Sequence, residues 1–390
     1  MKNILKKQEK ISENKFSRNS NLELLRIISM ILIVAHHYSV HGFTINDMDF
    51  SRNKYIVDFL SLGGKLGVNC FILISGYFSI KSKFTIKKLL KLEGQVLFYS
   101  ISFLILFLTV LTPTEPIGIK VILKSLLPII YSSYWFVTTY IILMILSSYI
   151  NILILNMNKT IHIKLICILV FIWSIIPNFT LGDLSYSNLG WFMTLYLIAA
   201  YIRKYVDISN INLKLIRKIT TITTLLLFLS VIVFNYIGNK YNINILLKHS
   251  TYFKKDNSIL ILIISVGLFL ICLSYNFHNS IINRIASTTF GVYLIHDNYF
   301  VRPFIWETML HCKENYYSSY LIIHAICSII IVYIGCTLIE LLRQITIEKV
   351  YFKLLESNKI KSLIMKLNDI ARDKAKFLPR IASDRAKPSR

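Results

Sequence analysis

The stretch "NLELLRIISMILIVAHHYSVHG", residues 21–42, sets Glu23, Arg26, His36, His37 and His41 into an otherwise apolar run. Ionisable groups inside a bilayer are costly, so each is a functional candidate by default. Helical geometry sorts them. Arg26 and His37 are eleven positions apart, which is about 20° of rotation and about 16 Å of rise. They can therefore line one interior cavity. Glu23 lies about 60° from Arg26 and roughly one turn earlier, and His36 points about 80° away from Arg26. A guanidinium in that cavity suits a phosphate-bearing donor. A neutral imidazole deeper in suits removal of a proton from an attacking hydroxyl. A blander account stands beside this one: Glu23–Arg26 as a helix-end ion pair, with the histidines at the interface. His37 and His41 have the i, i+4 spacing of a metal-ligand pair. No third ligand is evident near them in the sequence, and no metal is expected.

Four further segments carry candidate groups. In "GVNCFILISGYFSI" (67–80), Ser75-Gly76 allows close helix approach or exposes backbone to a ligand. The G-x-S-x-G nucleophile elbow is absent. In "KSKFTIKKLLK" (81–91), Lys83, Lys87 and Lys88 are candidates for a donor's phosphates. Topology alone also accounts for that basic run. Trp135 opens "WFVTTYIILMILSSYIN" and can stack on a sugar face or anchor at the membrane interface. Tyr293 and His296 lie in "STTFGVYLIHDNYFVRPFIW" (287–306), where a histidine within a bilayer needs a polar partner.

These groups need elements to hold them, and the composition says which kind. Of 390 residues, 55% are hydrophobic and 16% charged, with a mean hydropathy of +0.58. That is too apolar for a soluble domain. Long continuous apolar runs predict membrane helices and exclude the alternating pattern of a barrel. The expected fold is an all-α polytopic bundle of about ten spans: 22–39, 56–80, 92–112, 134–156, 161–177, 188–203, 218–237, 258–276, 287–304 and 318–341. Residues 117–131 read as a short interfacial or re-entrant helix. The first apolar stretch lacks a signal-peptide cleavage site and is expected to be retained. Six cysteines, with no CxxC, read as packing residues.

The net charge of +24 arises from 44 Lys and Arg against 20 acids. Lys and Arg fall unevenly about the ten spans. The segments sharing a side with the N-terminus hold 32 and the opposite segments hold 9. Both termini are therefore expected to be cytoplasmic, with the protein in the plasma (inner) membrane. No nucleic-acid recognition motif accompanies the charge, so nucleic acid is not an expected partner. The expected organisation is a cytoplasmic tail (1–21), a transmembrane domain (22–341) and a basic cytoplasmic tail (342–390). That last segment can lie on the inner leaflet as an amphipathic helix, and its final stretch is expected to be disordered. Abundant Ile, Asn and Lys fit an AT-rich bacterial genome.

Four blocks, in order, resemble the acyltransferase family 3 membrane proteins, which O-acylate polysaccharides. "NLELLRIISMILIVAHH" is similar to the family's first-helix pattern of acid, Arg three later, and His eleven after that. Glu23, Arg26 and His37 match it, with Glu where Asp is frequent. "FILISGYFS", "YWFVTTYIILMILSSYIN" and "FGVYLIHDN" are similar to three later blocks. The resemblance covers most of residues 20–340. It implies that acetyl-CoA is the cytoplasmic acyl donor, that a lipid-linked or surface glycan is the acceptor, and that Arg26 and His37 are the essential pair. Lys stands in the loop after the second span where relatives often carry Arg, so the donor's phosphate contacts depart from the family pattern. The rival expectation is a polysaccharide or lipid-linked-sugar transporter or polymerase, although its customary large outer loop is missing.

Overall fold

A chain crossing a bilayer must satisfy its backbone hydrogen bonds within itself, and the helix does so locally. The computed structural model follows that rule. It describes residues 19–43, 50–80, 82, 84–111, 117–179, 186–357, 360–362 and 365. Among these the regular elements are helical and none is a strand. The helices are α1 (Ser20–Gly42), α2 (Arg52–Ser61), α3 (Gly63–Ser79), α4 (Ile86–Thr109), α5 (Ile119–Leu126), α6 (Trp135–Asn156) and α7 (Lys159–Val170). They continue with α8 (Asn188–Tyr205), α9 (Leu213–Lys240), α10 (Ile259–Leu273), α11 (Ser280–Ala286), α12 (Thr289–His296), α13 (Leu321–Ile345) and α14 (Ile347–Leu355). Shorter turns link them. Thr85, Ser187 and Asn279 start α4, α8 and α11 by accepting hydrogen bonds from the first-turn amides.

Eight helical stretches among the described residues are long and apolar enough to cross a membrane. They match eight of the ten expected spans, and the other two differ for physical reasons. Residues 188–203 do form one unbroken helix, α8, but it sits at the centre of the bundle. Trp191, Phe192, Leu195, Ala199 and Ala200 on it are fully buried. A helix that faces protein on most sides can carry more polar residues than one that faces lipid. The span expected at 287–304 breaks after His296. There the side-chain oxygen of Asn298 accepts from the Phe300 amide at 3.0 Å, and the chain resumes as a short turn at Val301–Pro303. Broken helices are tolerated at membrane depth where they line a cavity or lie buried in protein. The expected short helix at 117–131 is α5, with Ile119, Leu123 and Leu126 exposed.

Small residues set how closely the central helices meet. Gly64 and Gly67 of α3 face α1, where a Cβ at Gly67 would sit 2.5 Å from the Ser29 carbonyl oxygen. Gly76 packs against Tyr196 and Ala199 of α8. Such contacts let van der Waals packing hold helices together where water cannot drive them. The start of α1 is tied to the far side of the chain: Asn279 N donates to Ser20 Oγ at 2.8 Å and Asn21 Nδ2 to the Cys272 carbonyl at 2.8 Å. The start of α1, the start of α4, α11 and the end of α13 thus gather at one end of the bundle, called here the basic end.

The α13 helix runs through to Ile345, and α14 folds back on α4. Tyr351 donates to the Leu90 carbonyl at 2.8 Å, and Glu348 pairs with Lys91 at 2.9 Å. Residues just beyond 341 are thereby part of the bundle. The basic stretch expected to be disordered lies outside the described residues. A Gly67→Ala variant should lose about 1–3 kcal/mol through overpacking. Gly335 on α13 provides the contrast, since a Cβ there would meet nothing within 4 Å. Gly335→Ala should be neutral or stabilising by about 0.5–1 kcal/mol. Thermal unfolding of the two detergent-purified variants checks the difference.

Candidate active site

A cavity of about 730 Å³ lies within the bundle beside α1. Arg26, Met30, Ile33 and His37 line it at helical spacing, so one face of α1 forms a wall with Arg26 toward the basic end. His36 lines it too, although its direction from the helix axis set it apart in the sequence. The cavity is wide enough to wrap past one face, and Gly64 leaves room for the imidazole, because a Cβ there would collide with the ring. His36 Nδ1 is 2.6 Å from the Ser61 carbonyl. Glu23 is buried behind Arg26 and receives its guanidinium at 3.2 and 3.3 Å, outside the lining.

The geometry around His37 fixes a proton arrangement. His296 is fully buried at the end of α12, and its Nε2 lies 2.8 Å from His37 Nδ1. The other His296 nitrogen, Nδ1, contacts the Val292 carbonyl. A carbonyl only accepts, so His296 Nδ1 carries the proton and donates it. In the neutral ring His296 Nε2 is then an acceptor, and His37 Nδ1–H donates to it. His37 Nε2 is left with its lone pair, on a side chain that lines the cavity. A hydrogen bond from behind that selects the tautomer of a working histidine is a recurring device.

Asp297 follows His296 at the helix break, with one guanidinium and two imidazoles around it. Its Oδ1 lies 3.4 Å from Arg302 Nη1, 3.7 Å from His41 Nε2 and 3.9 Å from His37 Nδ1. The fold thus brings a carboxylate to the His37–His41 pair, which the sequence did not reveal because 256 positions separate Asp297 from His41. One atom from each of the three comes within 4.8 Å of the others. Asp297 is paired with Arg302, and His37 Nδ1 is engaged by His296. Hydrogen bonding and ion pairing therefore account for this cluster.

Toward the basic end the lining becomes polar, with Lys91, His278, Asn283, Arg284, Glu340, Arg343, Gln344 and Glu348. Glu340 is the hub. Its carboxylate accepts from Tyr99 (2.6 Å), Gln95 (3.1 Å), Gln344 (2.8 Å) and two Arg343 nitrogens (2.8 Å each). Gly291 of α12 presses on it so closely that a Cβ would collide with the carboxylate. Arg343 also reaches Glu348 at 2.6 Å. Toward the far end the wall is aromatic. Trp135, Phe136, Tyr140 and Tyr293 line it, and Lys65 Nζ sits 4.1 Å from the centre of a Trp135 ring.

The expected site residues divide accordingly. Arg26, His37, Ser75, Trp135 and Tyr293 line the cavity. His296 stands directly behind His37. Lys87 is exposed and paired with Glu356 at 3.0 Å, and Lys88 is exposed; neither is in the lining. Gly76 faces α8 as a packing glycine. Lys83 lies outside the described residues. The cations at the basic mouth are instead Lys91, Arg284 and Arg343. Lys65 and Glu340 are functional candidates the sequence reading passed over. Each is a charge inside an expected apolar span, which is the signal that singled out Arg26.

A bundle of apolar helices thus encloses a partly polar cavity with Arg26 and His37 on one wall. A family model described as an acyltransferase domain, that of acyltransferase family 3, matches residues 19–341. The chain belongs to this family and is a membrane acyltransferase. No curated protein and no solved structure matches it.

Removing the hub leaves the buried Arg343 with Glu348 as its remaining carboxylate partner. Glu340→Ala should destabilise the protein by about 3–5 kcal/mol, because Arg343 loses its main partner inside the bundle. Glu340→Gln keeps an acceptor and should cost less. Thermal unfolding in detergent reads both.

Proposed function

We propose that this protein transfers an acyl group, acetyl, from acyl-CoA to a hydroxyl of a cell-envelope or exported glycan. The observation that carries the reading is a cavity with Arg26 and His37 on one wall, polar and cationic at one end and aromatic at the other. In this reading the basic end faces the cytoplasm, as the Lys and Arg distribution favours. Acyl-CoA enters there. Arg26, Lys91 and Arg284 supply cationic partners for its phosphates. The glycan enters from the aromatic end, where Trp135 suits a sugar face.

The chemistry then follows from the tautomer. His37 Nε2 takes the proton of the acceptor hydroxyl as its oxygen attacks the thioester carbonyl carbon. Collapse of the tetrahedral species breaks the C–S bond. The proton on His37 Nε2 passes to the departing thiolate, giving the glycan ester and free CoA. His296 holds the ring and accepts from Nδ1 throughout, and nearby Asp297 favours the imidazolium that forms between the two proton transfers.

Mass spectrometry of the surface glycan from a strain lacking this protein should show loss of one acyl mass with chain length unchanged. Loss of the polymer itself would overturn the proposal in favour of an export or polymerisation role. His37→Ala, expressed at normal level, should lower glycan acylation by about 10²–10⁴-fold. His296→Ala should lower it by at least about tenfold, while His296→Gln, whose amide oxygen can accept from His37 Nδ1, should recover part of the loss. Equal activity of the alanine and glutamine variants would reject the positioning role.

A further inference from the structure

Lys65 is a charge that the transfer chemistry above leaves without a task. It is the third residue of α3 and lies within the stretch Arg52–Ser79, which is long and apolar enough to cross a membrane. It lines the cavity beside Trp135, with Nζ 4.1 Å from the ring centre. Gly64, just before it, packs on His36, so Lys65 is level with the histidine pair rather than with the basic mouth.

The nearby carboxylates are already engaged. Asp58 binds Lys54 at 3.0 Å, Asn235 at 2.8 Å and Ser250 at 2.9 Å. Asp256 receives Tyr186 at 2.8 Å. Asp297 holds Arg302. Among the described residues no carboxylate comes within ion-pair range of Lys65. A second lysine stands close by: Lys254 Nζ reaches Ser61 Oγ at 3.4 Å, and the Ser61 carbonyl is the group that meets His36. The far half of the cavity therefore sets a flat aromatic wall beside the Lys65 ammonium, which has no carboxylate in ion-pair range among the described residues. Contact with an aromatic face recovers only part of what an ammonium loses on leaving water. An intramembrane cation in that condition implies a counter-charge supplied by a ligand.

We propose that the acceptor is an acidic glycan, stacking a sugar ring on Trp135 and pairing an adjacent anionic group with Lys65 Nζ. The group is a carboxylate, as in a uronic acid, or a phosphate ester on the sugar. This inference rests on the reading that the aromatic half takes the acceptor.

Binding tests it without requiring transfer. Full-length protein carrying His37→Ala is titrated calorimetrically in detergent. The probes are a glucuronic-acid oligosaccharide, its carboxyl-reduced counterpart, glucose 1-phosphate and glucose. At least one anionic probe should bind at least about tenfold more tightly than its neutral partner, and the stronger arm separates carboxylate from phosphate. Adding Lys65→Met should remove that preference, while Lys65→Arg should keep it. Each preference is a ratio within one variant, so partial loss of folded protein cancels. Equal binding of neutral and anionic probes, no binding of either anion, or a preference that survives Lys65→Met would overturn the proposal. Because no acyl group moves, the outcome is separate from that of glycan acylation. A protein that acylates only a neutral glycan defeats the acidic acceptor alone. One that binds acidic sugar and acylates nothing defeats the transferase reading alone.

Discussion

A backbone carbonyl accepts hydrogen bonds and donates none, and in this bundle that asymmetry is passed on through His296 to His37. The Val292 oxygen obliges His296 to present a proton on Nδ1 and a lone pair on Nε2. His37 must then donate from Nδ1. Two rings, from helices at opposite ends of the chain, are locked into one order of donors and acceptors. Just past His296, at the end of α12, Asp297 lies against His41 and Arg302, and Asn298 donates to the Tyr134 hydroxyl.

Polar groups elsewhere in the bundle obey the same constraint, that hydrocarbon offers no partner. Glu340 has five donor atoms around it, so hydrogen bonds from α4 and α13 compensate its burial while the glycine surface of α12 closes over it. Lys54 and Asp58 form a buried pair completed by Asn235 and Ser250. These satisfied clusters fix helix positions, whereas Lys65 has no carboxylate within ion-pair range among the described residues.

Much of this was legible in the sequence, and the boundary between what was and was not has a physical basis. The face shared by Arg26 and His37 follows from helical rotation alone, so local spacing was sufficient. The apolar runs predicted the helices because lipid imposes length and composition. What spacing cannot convey is pairing across the chain. The lysines of 81–91 drew attention as a run, yet of the two described at 87 and 88 neither reaches the cavity. Lys91, one helical turn further from Lys87 on the same helix, does. The break in the ninth span was masked because hydropathy averages over Asp297 and Asn298 among apolar neighbours. Asp297 joined the His37–His41 pair only through folding. Lys65 and Glu340 were readable as lone charges in apolar spans, but their meaning depends on which carboxylates and donors stand near them.

The C-terminal helix α14 lies beyond the matched family region, yet its Glu348 faces the cavity and holds both Lys91 and Arg343. The mouth is thus occupied by an anion of the protein's own. Any anion reaching Lys91 or Arg343 would compete with a tethered carboxylate at high local concentration.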